Sequence, residues 1–121
     1  MKQIIRLFVF LLCGLIICHV SHAAFVTGLE DIPLAEGFSQ VEEGWSFGNE
    51  ESRMIEVYLT SKTKSFQNAA DFYQKTLPQM GWQLKKAEPE KVFFERDGET
   101  LEIDSESSRP LRVRLTVKSK N

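Results

Sequence analysis

After residue 23 the chain has no cysteine and no histidine: Cys13, Cys18, His19 and His22 all fall before that point in its 121 residues. No disulfide can form in the remainder, whatever the compartment. Zinc, copper or iron would have to be held there by oxygen ligands alone. A serine or threonine nucleophile would find no histidine to take its proton. Long apolar runs are scarce too. The only one, Leu7 to Cys18, is twelve residues, against the roughly 20 needed to cross a bilayer. The chain has no internal repeat, no low-complexity tract and no linker long enough to divide it.

That apolar run follows Lys2 and Arg6 and precedes Ser21-His22-Ala23, which puts small residues where a signal peptidase reads them. Neither cysteine follows a small residue, so a lipid-anchor site is not indicated. Residues 1–23 are expected to be a secretory signal, with an uncleaved anchor as the rival reading. Residues 24–121 are then a single small domain, exported to the periplasm or the cell exterior, with no membrane span after cleavage. Without the leader's two basic residues, 13 basic residues face 17 acidic ones, a formal charge of −4. A nucleic-acid partner would call for the opposite balance. Residues 24–52 hold seven acids and no base, whereas residues 107–121 hold five bases and no acid. Such ends are either solvated or face one another. The acidic stretch could otherwise meet calcium or a basic partner.

Local patterning predicts the elements. Residues 24–40 read as irregular, with turns at Pro33 and Gly37, and Gly44 to Gly48 as a short strand before a turn at Asn49 to Ser52. Ile55, Val57 and Leu59 alternate with polar neighbours across a strand from Arg53 to Ser61. Ser65 caps a helix whose apolar stripe is Phe66, Ala69, Ala70, Tyr73, Leu77 and Met80. Pro78 weakens its last turn and Gly81 closes it. A four-strand meander follows: Trp82 to Ala87, Val92 to Arg96, Glu99 to Asp104 and Leu111 to Lys118. Asp97-Gly98 supplies its hairpin turn, and Ser105 to Pro110 reads as a polar loop. The expected fold is a two-layer α+β domain, mainly antiparallel, in the order β-β-α-β-β-β-β with one helix covering one face.

The Ile32-Pro33-Leu34…Gly37 opening and the Phe72-Tyr73…Leu77-Pro78…Gly81-Trp82 passage from helix to strand resemble small exported bacterial α+β domains of unknown function. The resemblance covers most of the chain after residue 23. It implies a fold and carries over no catalytic residue.

Chemistry-bearing patterns are few. Gly44-Trp45-Ser46-Phe47-Gly48 matches the G-x-S-x-G nucleophile elbow. The match is read as a coincidence, with two glycines at strand ends and Trp45 and Phe47 packing. Carboxylates cluster at Glu30-Asp31, Glu42-Glu43, Glu50-Glu51 and Glu102/Asp104, and none has a calcium-hand spacing. Glu102 and Asp104 share one strand face and could in principle serve as a glycosidase pair. Arg112 and Arg114 on the neighbouring strand are expected to pair with them instead. Phe66, Phe72, Tyr73 and Trp82 are assigned to the core. Tyr58 and Phe93 break the alternation and face away from it. Together with Glu95, Arg112 and Arg114 they make the expected contact face.

Function is thus expected to be non-enzymatic binding, without cofactor or metal, to a protein partner or to another copy of the chain. The alternatives are a small carboxylate-based hydrolase and a periplasmic inhibitor or immunity-type protein.

Overall fold

The computed structural model describes residues 24–48 and 52–119. The expected leader lies outside these residues, and so does most of the turn expected at Asn49 to Ser52. The first strands are β1 (Phe25–Val26) and β2 (Leu29–Pro33), which pair as a hairpin. Gly28 turns it at φ 93°, a conformation that costs glycine little. Then come β3 (Ser39–Gly48), β4 (Arg53–Ser61), helix α1 (Phe66–Thr76) and the 3-10 segment η1 (Leu77–Met80). The chain closes with β5 (Gln83–Glu88), β6 (Lys91–Arg96), β7 (Glu99–Ser108) and β8 (Leu111–Ser119).

The order is therefore β-β-β-β-α-β-β-β-β, which corrects the expected β-β-α-β-β-β-β. The missed hairpin has a physical cause. Leu29, Ile32 and Pro33 are buried while Glu30 and Asp31 between them are exposed, so period-two alternation is absent. β3 also starts at Ser39 rather than Gly44. β7 runs through the supposed polar loop as far as Ser108, with its register shifted between Ser105 and Ser107.

β3 to β8 form one sheet in the order β3-β4-β8-β7-β6-β5, and each neighbouring pair is antiparallel. The meander from β5 to β8 is present, and the C-terminal strand inserts between β4 and β7. Asp97 (φ 44°) and Gly98 (φ 79°) make the two-residue β6–β7 turn with both residues at positive φ.

Ser65 caps α1 and Asn68 answers it. The Ser65 hydroxyl accepts from the Asn68 N–H, and the Asn68 Oδ1 accepts from the Ser65 N–H at 2.8 Å. These bonds satisfy donors that the first helical turn leaves open. Pro78 has no N–H, so the α-helix stops at Thr76 and tightens into η1, and Gly81 ends it at φ 91°.

Phe66, Ala69, Ala70, Tyr73 and Leu77 face one side of the sheet with Val26, Leu29 and Ile32 of the small hairpin. Against them the sheet sets Val57, Leu59, Val92, Phe94, Leu101, Ile103, Val113, Leu115 and Val117. Arg96 ties the layers together. Its guanidinium lies 4.3 Å over the Trp82 ring, donates to the Met80 carbonyl at 3.2 Å and pairs with Asp31 on β2. One face of the large sheet is thus covered by the helix and the small hairpin.

Candidate functional site

The opposite face is set by the register. One row runs Trp45, Glu56, Thr116, Glu102, Phe93, Lys86 from β3 to β5. The next runs Val41, Tyr58, Arg114, Asp104, Lys91, Glu88. Strand alternation puts every one of these side chains away from the core.

The middle of this face is a closed charge network. Arg114 grips Asp104 with two bonds, Nε to Oδ1 at 3.0 Å and Nη2 to Oδ2 at 2.6 Å, and lies 3.9 Å from Glu56. The Tyr58 hydroxyl donates to Glu56, and Arg112 stacks on the Tyr58 ring at 4.5 Å while pairing with Glu106 at 2.9 Å. Glu56 and Asp104 are each only 7% exposed because their neighbours cover them. Asp104 holds the Arg114 guanidinium above its ordinary range, chiefly through this hydrogen-bonded pairing. Glu102, the other carboxylate of the conceivable pair, is bound to Lys91 at 3.0 Å.

Of the expected contact residues, Tyr58, Arg112 and Arg114 come together on β4 and β8. Tyr58 faces outward but is only 8% exposed, beneath Arg112. Phe93 and Glu95 sit on β6, three strand spacings from β4, about 14 Å away. Phe93 is half-buried, with the Lys91 ammonium 5.8 Å over its ring.

The exposed aromatic surface lies elsewhere, on β3. Trp45 and Phe47 stack with ring centroids 5.0 Å apart and planes 5° from parallel, yet remain 42% and 61% exposed. This corrects their expected assignment to packing. They are two residues apart, so they share a face of the strand, and among the described residues β3 is the last strand of the sheet. The signal in the sequence was period-two spacing of two aromatics. What it lacked was any sign that no strand would flank them.

Beside these rings the β3 register slips between Val41 and Trp45. A cavity of about 540 Å³ opens there between β3, the edge of β4 and the Thr27-Gly28 turn. Ile55 and Val57 give it apolar wall, while Gln40 and Glu42 give it polar side chains. The Gln40 side-chain amide holds the Thr27-Gly28 turn in place. It accepts from the Thr27 N–H at 2.7 Å and donates to the Thr27 carbonyl at 2.8 Å. A Cβ on Gly44 would meet the Glu56 carbonyl at 3.1 Å, so glycine allows the close approach.

Ser46 lies inside β3, with no strand-to-helix turn around it. A nucleophile elbow needs that turn. Among the described residues no group of three or more acidic, histidine or cysteine side chains could hold a metal ion. Nor is any helix among them long and apolar enough to cross a membrane.

Both tyrosines are held above the ordinary phenol value of 10.0. For Tyr58 the leading cause is its hydrogen bond to Glu56, and for Tyr73 it is burial. Raised acids favour the neutral form in the fold. Their contribution is therefore complete below the unfolded value and is lost as pH rises through the folded one. Spectrophotometric titration of tyrosinate is expected to place the ionisation of both rings above 10.0 in the folded protein. A tyrosine that ionised at 10.0 in the folded protein would contradict the placement of that ring.

Compared with known proteins, the chain matches no family model, no curated protein and no solved structure, so what the site can do is read from its own geometry.

Proposed function

We propose that this is an exported, non-enzymatic binding domain that works through β3 and the sheet face beside it. The observation that carries the reading is the stacked Trp45–Phe47 pair, exposed at the one large-sheet edge without a basic guard. Aromatic side chains concentrate binding energy where they become buried on association. A free edge adds main-chain donors and acceptors to that surface. The carboxylates that a small hydrolase would need are engaged instead, Asp104 by Arg114 and Glu102 by Lys91.

The test uses the double variant Trp45→Ser/Phe47→Ser as bait beside the parent protein in envelope extract. The variant is expected to lose capture while its thermal unfolding stays within the small range of exposed-site changes, about 0.5 kcal/mol. Equal capture by both baits would place the working surface elsewhere.

A further inference from the structure

We infer that the β3 edge takes up an extended basic segment of a partner protein by strand addition, with one lysine or arginine side chain seated in the adjoining cavity. This rests on the binding-domain reading and specifies its ligand.

The two edges of the large sheet differ in kind. Both edge strands carry a register shift, but β5 also carries Lys85 and Lys86, side chains that discourage a further strand. β3 has neither lysine, arginine nor proline. Its main chain faces no strand on the outer side among the described residues. An extended peptide gains affinity from main-chain bonds at such an edge and specificity from pockets for alternate side chains.

The cavity beside β3 is such a pocket. Ile55 and Val57 can line the methylene stem of a long side chain, and the exposed Glu42 can face its charged end. The exposed Trp45 ring offers a cation a second partner. Charge favours a basic occupant over another copy of the chain. Residues 24–52 hold seven acids and no base, so two copies of this edge would set acid against acid.

The probe is a peptide of alternating lysine and valine, long enough to pair with Val41 to Gly48. Titration calorimetry and tryptophan emission follow its binding, with the buried Trp82 as the insensitive background. The peptide is expected to bind and to alter Trp45 emission, and to bind more weakly as salt is raised. A glutamate–valine peptide, and a lysine–valine peptide interrupted by proline, are expected to bind at least about tenfold more weakly. Ser46→Phe, which fills the cavity from an exposed position, and Glu42→Lys are each expected to weaken the parent peptide about tenfold with melting unchanged.

Equal binding of the proline-interrupted peptide would overturn strand addition, and equal binding of the acidic peptide would overturn the charge preference. Sedimentation showing a dimer of the protein alone that Trp45→Ser dissolves would make a second copy the occupant and overturn the proposal. No binding of the lysine–valine peptide, with capture from extract still dependent on Trp45 and Phe47, would reject this ligand and leave the binding surface standing.

Discussion

Replacing Leu115 with alanine is expected to destabilise the fold by about 2–5 kcal/mol, the usual range for emptying a closed core site. Leu115 has no exposure, lies on the strand that inserts between β4 and β7, and pairs with Val57 on one side and Ile103 on the other. Three strands meet at this side chain, so the cavity left behind cannot collapse without moving the sheet. Phe93, on the opposite face and half-buried, should cost about 1 kcal/mol or less on truncation. Denaturant unfolding of the two variants measures the contrast. Equal costs would mean that Phe93 is packed as core, contrary to its place on the outer face.

Arg114→Met is expected to cost about 2–3 kcal/mol, although a third of this side chain is exposed. The reason lies with its partners. Asp104 and Glu56, each 7% exposed, would both remain covered without the cation they share. Breaking a buried ion pair typically costs about 3–5 kcal/mol, and the partial exposure of Arg114 (34%) reduces that figure. Adding Asp104→Asn to the methionine variant removes one orphaned charge and should recover about 1 kcal/mol. A double-mutant cycle reads this coupling directly. Additive losses would show that the bidentate pair contributes nothing beyond its separate side chains.

Several features were legible in the residues because they are local. Ser65 caps a helix whose stripe includes Phe66, Ala69, Ala70 and Tyr73, all of them buried. Gly81 closes η1, and Asp97-Gly98 turns at positive φ. Arg53 to Ser61 and Leu111 to Lys118 alternate, and Ile55, Val57 and Leu59 with Leu111, Val113, Leu115 and Val117 face the core. The hairpin at Phe25 to Pro33 was not legible, because its buried residues follow a three-residue step with Pro33 at the end.

The sequence by itself determined that nothing after residue 23 can form a disulfide or offer a histidine base, and it assigned the helix and a face to each alternating strand residue. Only the tertiary structure decided which residues became neighbours. Alternation tells which way a side chain points and nothing about the strand beside it, since pairing is settled by contacts between distant segments. Because β8 enters between β4 and β7, Arg114 meets both Tyr58 and Asp104, and that face closes into a network. Because β3 is left at the end of the sheet, Trp45 and Phe47 stack against each other in the open rather than under another strand.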